Sequence, residues 1–367
     1  MSKNQQSANA VQLDANMRIQ QSGVNDLMWY TPLEHPFHIG GFGWLHEEGC
    51  YRRLPVGSGW NLPEAVDQLA NCTAGGQIRF ATDATALSVK IKLTGAANMY
   101  HMPATGQCGF DCYIGGPGEQ VYYGTTVYDH KLTVYESVVF TNLERENRIL
   151  TLNFPLYQGV EEVWVGLDRQ AHIAPPPAYE NSKKIIVYGT SITQGGCASR
   201  PGMTYTNILS RRINMEFLNL GFSGNGKGEP ELAHILAEIS APACLILDYE
   251  ANCVSTDLLQ KTLPEFISIY REKHPLTPIL VISRITNAKE KFQPQMAQDR
   301  ADRKQIQIQT VEQRRALNDD YIYFCDGSKL LGEDAHECTV DGSHPTDLGF
   351  MRMADGLTPV LQRILAG

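Results

Sequence analysis

Apolar and polar residues alternate along this chain in two different rhythms, and the change between them divides it. In ALSVKIKL (86–93), Leu87, Val89, Ile91 and Leu93 share one face, while Ser88, Lys90 and Lys92 share the other. That period of two belongs to a strand with one face buried. IRFAT (78–82), FDCYIGG (110–116), VYYGTTVY (121–128), LTVYESVVF (132–140), RILTLNF (148–154) and EEVWVGL (161–167) are β-branched and aromatic runs bounded by turn residues, and read as further strands. No helix-length periodic segment separates them. Residues 25–173 are therefore expected to form an all-β sandwich, preceded by a polar segment over 1–24.

The rhythm changes at Ala174-Pro175-Pro176-Pro177, which opens a linker over 174–182. From 183 to 367, short apolar runs at KIIVYG (184–189), FLNLGF (217–222), ACLILDY (243–249), PILVISRI (278–285) and YIYFCDG (321–327) alternate with helical segments. The helices are expected near 203–214, 229–239, 256–273, 297–318 and 346–365, the last capped by Thr346. Within 229–239, Leu232, Ile235, Leu236 and Ile239 recur at the spacing of one helix face. Five β/α units predict a doubly wound, flavodoxin-like parallel sheet with ligands at the carboxyl ends of its strands. The proline run and the short connections favour fixed docking of the two parts.

Length and charge narrow the partners. At 367 residues the chain exceeds what one core organises, in line with two domains. A net charge of −9 argues against nucleic acid or anionic membrane as the main partner, because both demand a basic face. A neutral small molecule or oligosaccharide fits better, and self-association stays open. No stretch approaches the roughly 20 apolar residues of a membrane span, and the opening MSKNQQSANAVQLDANMRIQ has no apolar signal core. Nine cysteines stand without a CxxC pair, Cys108 and Cys112 being the closest. Buried, reduced thiols and a cytoplasmic location are the expectation, although a trimmed secreted or periplasmic chain would look the same.

Four motifs carry chemistry, each near a predicted strand end or before a helix. Gly189-Thr190-Ser191 follows KIIVYG, where a glycine-led turn can expose a serine to a base. Asp341-Gly342-Ser343-His344 precedes the last helix; the imidazole could take the serine proton while the carboxylate fixes its tautomer. Asn219-Leu220-Gly221-Phe222-Ser223-Gly224 ends a strand in glycine-rich backbone that lets an amide approach a substrate. It holds no dinucleotide or phosphate-loop fingerprint. Glu250-Ala251-Asn252-Cys253 ends another strand with an amide that could donate to an oxyanion, worth about 3 kcal/mol. Taken singly, each motif has a bland counterpart in turn serines, surface loops and capping asparagines.

Together and in this order, the four motifs resemble the blocks of the SGNH hydrolases, also called GDSL esterases. The resemblance covers the chain from Lys184 to the C-terminal helix. It implies Ser191 as nucleophile, His344 and Asp341 as its relay, and an oxyanion hole from the Ser191 and Gly224 backbone N–H groups with the Asn252 side chain. Two departures stand out: Thr190 replaces the usual aspartate, and Glu250-Ala251-Asn252-Cys253 keeps only the asparagine of Gly-x-Asn-Asp. Gly109-Phe110-Asp111-Cys112-Tyr113 is similar to the Gly-x-Asp-Leu-Tyr signature of a sandwich domain found ahead of one SGNH subgroup, with Cys112 for leucine. Chains of that pairing resemble carbohydrate esterases.

The resemblance therefore implies a serine esterase that removes small acyl groups, acetyl foremost, from carbohydrates through an acyl-enzyme, with no cofactor and no metal. A thioesterase or lysophospholipase using the same triad, a non-catalytic carbohydrate-binding protein, a metal-dependent phosphoesterase and a scaffold are the alternatives. Aromatics at Trp29-Tyr30 and across His35–Trp44 could stack a sugar ring or simply pack. His35, His38 and His46 specify no converging ligand set, and Lys227 and Arg284 are assigned no role.

Overall fold

The period-two segments pair into two antiparallel sheets. Numbering strands in chain order, Leu27–Tyr30 (β1), Leu87–Leu93 (β4), Val134–Phe140 (β7) and Val160–Asp168 (β9) form one sheet in the order β1-β9-β4-β7. Gln77–Thr82 (β3), Asp111–Ile114 (β5), Val121–Thr125 (β6), Arg148–Asn153 (β8) and Ile173–Ala174 (β10) form the other in the order β10-β3-β8-β5-β6, and His38–Gly40 (β2) adds to β3. The computed structural model describes Asp14 and residues 26–57 and 59–367. The polar segment expected over 1–24 thus falls, Asp14 apart, outside the described residues.

The alternation in β4 works as anticipated. Leu87, Val89, Ile91 and Leu93 enter a core with Ile78, Phe80, Leu150, Leu152, Val163 and Val165. Lys90 and Lys92 face outward, where Lys90 lies over the Trp29 ring and pairs with Glu136 on β7. Ser88 departs from the pattern, being buried. Strands β1, β2 and β10 were not anticipated; at two to four residues they are too short to show a period.

Beyond the prolines, Lys184–Gly189 (β11), Glu216–Gly221 (β12), Pro242–Asp248 (β13), Ile279–Ile282 (β14) and Ile322–Cys325 (β15) form a parallel sheet ordered β12-β11-β13-β14-β15. That is the flavodoxin-like arrangement. Ile185 and Val187 pack on one face beside Ile208, Leu209 and Phe350, and Ile186 and Tyr188 pack on the other beside Leu236 and Phe266. Both faces are covered, as the unbroken apolar run of KIIVYG requires. Thr346 stands at the N-cap of helix Asp347–Leu365, but its hydroxyl donates to the Cys338 carbonyl instead of capping the helix.

The sheets dock through polar clamps. Asp111, buried in β5, accepts from Arg200 (2.9 Å), the Gly202 N–H (2.7 Å) and Asn153 (2.7 Å), while Arg200 also donates to the Tyr113 hydroxyl (2.6 Å). The aspartate and tyrosine of the GFDCY signature are thus spent on holding the loop that follows the predicted nucleophile. Arg53 is 0% exposed and donates to four carbonyls, those of Leu69, Cys72, Asn219 and Gly221. Burial pulls its guanidinium down to about 10, so it stays charged at neutral pH. The 174–182 segment is also docked: Arg79 donates to the Pro177 carbonyl and lies over the Tyr179 ring.

Candidate active site

Strand β11 ends at Gly189, where a Cβ would meet Thr193 Oγ1 at 2.0 Å and the Asp248 carbonyl at 2.6 Å. Only glycine allows the chain to turn there directly into the helical turn Ser191–Gln194. Thr190 occupies the N-cap of that turn, and its Oγ1 accepts the Ile192 N–H at 3.2 Å. A threonine therefore performs the capping that an aspartate at this position could perform.

Ser191 lies at the first helical position and is 8% exposed. Its Oγ is 2.9 Å from His344 Nε2, and His344 Nδ1 is 2.7 Å from Asp341 Oδ2. The other carboxylate oxygen of Asp341 accepts the backbone N–H groups of Ser343 (2.9 Å) and His344 (2.8 Å). Gly342 makes this tight fold-back possible with a left-handed φ of 91°. Burial works to raise the Asp341 carboxyl, but the hydrogen bonds from His344 and Ser343 outweigh it and bring it down to about 2. An ionised Asp341 requires the proton on Nδ1, which leaves Nε2 free to accept from Ser191.

The glycine-rich loop after β12 lies beside this relay. Gln194 ties it to the Ser191 turn by accepting the Ser223 N–H at 3.0 Å. Gly224 has a φ of 66°, with open space where a Cβ would stand. Neither its N–H nor that of Ser191 has an acceptor among the described residues. Asn252 reaches the same loop, where its Nδ2 donates to the Phe222 carbonyl at 3.1 Å and to that of Asn225. Both amide hydrogens are thus engaged, and Asn252 braces the loop in this arrangement.

Several residues here carried no signal of their own in the sequence. Beneath the turn, Asp248 accepts at one oxygen from Thr193 (3.0 Å) and Tyr205 (2.8 Å). Burial raises its carboxyl to about 7 against the lowering effect of these bonds. The Tyr157 hydroxyl donates to the Ser191 carbonyl at 3.3 Å. From the loop after β4, His101 sets its ring against His344, and Tyr100, 94% exposed, stacks on His101 with ring centroids 4.5 Å apart. A long-range contact between sheets leaves no local pattern in NMYH.

The aromatics singled out earlier pack elsewhere. Phe42 lies in the sandwich core, Tyr30 and Phe37 pack against that core, and Trp44 packs against the core on one face of the parallel sheet. Arg284 is held by Glu250 and Glu290, and the Lys227 N–H by Glu229. All nine cysteines are free. Among the described residues no helix is long and apolar enough to cross a membrane. A concavity of about 560 Å³ lies at the far edge of the parallel sheet, lined by Cys325, Lys329, Arg352 and Asp355, and the relay does not contribute to it.

Two family models match the chain. The GDSL-like lipase/acylhydrolase family matches residues 182–362, and GxDLY, the N-terminus of SGNH-hydrolase-type esterases, matches residues 27–173. No curated protein sequence matches it. Among solved structures, a Bacteroides ovatus chain described as a GDSL-like lipase is 32% identical over 93% of this chain and 98% of that one, with a TM-score of 0.86. A salicylyl-acyltransferase from a tetracycline biosynthetic pathway is 19% identical over 93% and 98%, with a TM-score of 0.76. An acetyl xylan esterase from the rumen bacterium Butyrivibrio proteoclasticus is 13% identical over 93% and 100%, with a TM-score of 0.58. These last two share the fold.

Proposed function

This chain belongs to the GDSL-like lipase/acylhydrolase family, and we propose that it uses Ser191, His344 and Asp341 to release small acyl groups, acetyl foremost, from carbohydrate esters. The observation that supports these roles is the continuous relay from Ser191 Oγ through His344 to Asp341, at 2.9 and 2.7 Å.

In the first step His344 Nε2 takes the Ser191 proton as the oxygen attacks the ester carbonyl. The negative charge passes to the former carbonyl oxygen, where the Ser191 and Gly224 N–H groups receive it. Asn252 joins them by turning one amide hydrogen from the Asn225 carbonyl to the substrate. His344 then gives its proton to the departing sugar hydroxyl. Water attacks the acyl-enzyme by the same route, returning the proton to Ser191 and releasing the acid. Asp341 stays ionised throughout and stabilises the imidazolium.

The carbohydrate reading draws on two observations. Tyr100 offers an exposed aromatic face two ring contacts away from Ser191's base, and apolar sugar faces suit such surfaces. An acetyl xylan esterase is among the proteins that share the two-part fold. The small-acyl reading draws on the near-complete burial of Ser191. The test is acetate release from acetylated xylan fragments and sugar acetates, set against p-nitrophenyl esters of increasing chain length and acyl thioesters. The expected order is sugar acetates first, with a steep fall as the acyl chain lengthens. Preferential turnover of thioesters or long-chain esters would overturn the carbohydrate and small-acyl assignment.

A further inference from the structure

His344 belongs to a second constellation that the relay does not use. Ligand atoms of His101, Cys197 and His344 all lie within 4.8 Å of one another, the one such convergence of His, Cys, Asp or Glu among the described residues. His101 Nδ1 is buried without a hydrogen-bond partner, and the Cys197 thiol, on a buried residue, has none among the described residues. Cys197 also holds a left-handed backbone at φ 76°, a conformation that non-glycine residues seldom keep without a reason.

We propose that His101, Cys197 and His344 form an inhibitory zinc site that switches off the proposed esterase. Two imidazoles and one thiolate are a donor set suited to a borderline-soft divalent ion, with a fourth position left for water. Zinc holds nitrogen at about 2.0–2.1 Å and sulfur at about 2.3 Å, so tetrahedral ligands stand about 3.3–3.7 Å apart. With ligand atoms within 4.8 Å of one another, the side chains would have to draw together by no more than about 1–1.5 Å to hold the ion. Asp341 occupies Nδ1 of His344, so Nε2 is the nitrogen available to a metal. Ligation there withdraws the base from Ser191. The thiol proton of Cys197 passes to solvent, and no redox change is involved. His101 comes from the sandwich and the other two ligands from the parallel-sheet part, so the ion would also join the two.

The site rests on the reading of His344 as general base, and the test separates the two. Zinc binding is measured by equilibrium dialysis on the full-length Ser191→Ala protein, where turnover plays no part. One zinc per chain is expected, with affinity reduced at least about tenfold by His101→Ala or by Cys197→Ser. In parallel, wild-type ester hydrolysis should fall with free zinc and recover with chelator. Each ligand variant, compared with its own zinc-free rate, should need at least about tenfold more zinc. Absence of stoichiometric binding, or binding indifferent to both substitutions, would overturn the site. Stoichiometric binding by a chain that hydrolyses no ester would uphold the site and refute the esterase reading.

Discussion

The ring of His101 stands edge-on to that of His344, with centroids 5.6 Å apart and planes at 76°. These two residues come from different sheet systems of the molecule, so His344, the base in the proposed relay, has one wall supplied by the N-terminal sandwich. The sandwich is therefore part of the site as well as its brace.

Replacing Asp341 by Asn should leave KM nearly unchanged and lower kcat by about 10²–10⁴-fold, because the amide no longer enforces the proton on Nδ1. Steady-state kinetics on one soluble ester checks this. Its carboxyl is depressed to about 2. The stability it contributes is present above the ordinary carboxylate value near 4 and disappears only as pH falls through about 2. A loss of activity already complete at pH 4 in wild type and unchanged in Asp341→Asn would assign that loss to another group.

Tyr100→Ala should raise KM for sugar acetates several-fold, in keeping with loss of an aromatic stacking surface of about 1 kcal/mol. Hydrolysis of ethyl acetate, which has no ring to stack, should change little. An equal effect on both esters would place Tyr100 in the structural support of His101 and not in sugar binding.

Asp111→Ala removes the acceptor for Arg200, Gly202 and Asn153 together. Leaving the buried Gly202 N–H and Asn153 amide without this acceptor, and Arg200 with only its Tyr113 and Met203 partners, should cost about 3 kcal/mol of stability, read as a shift of the urea midpoint. Because Gly202 sits eleven residues past Ser191 on the same connecting loop, activity should fall as well, even where the protein remains folded.

Asp248→Asn should alter the pH dependence of stability. Burial raises the Asp248 carboxyl to about 7, well above its value in the unfolded chain. The folded state therefore binds more protons than the unfolded state between about pH 4 and pH 7. The contribution of this group is full below pH 4 and is lost as pH rises through 7, with a slope approaching about 1.4 kcal/mol per pH unit. Denaturant unfolding across that range should show the slope in wild type and its absence in Asp248→Asn.

The sequence was most legible where information is local. The alternation in ALSVKIKL, the apolar run of KIIVYG and the heptad-like spacing in 229–239 each report the surface they will bury within a few residues. Ser191, Asp341 and His344 were legible because their turns require glycine at 189 and 342 and because their motifs follow one another in the order of the family's blocks. Both the family resemblance and the GFDCY signature agree with the matching family models. What stayed hidden depends on distant partners. Arg53 looks like any loop arginine until it meets carbonyls 166 and 168 positions away. His101 and Tyr100 acquire meaning only beside His344, and the Asn252 amide looked free until the loop at 222–225 folded over it. For the aromatics around 35–44, composition left a stacking platform and packing both open, and Phe37, Phe42 and Trp44 pack in or against the cores.

The central claim is that Ser191 is the acylated nucleophile. A serine-directed fluorophosphonate should add once per chain, and peptide mapping should place it on Ser191. Ser191→Ala should take up no label and lose at least about 10⁴-fold in kcat on sugar acetates while remaining folded. Labelling at a different serine, or hydrolysis by Ser191→Ala at the wild-type rate, would contradict the account.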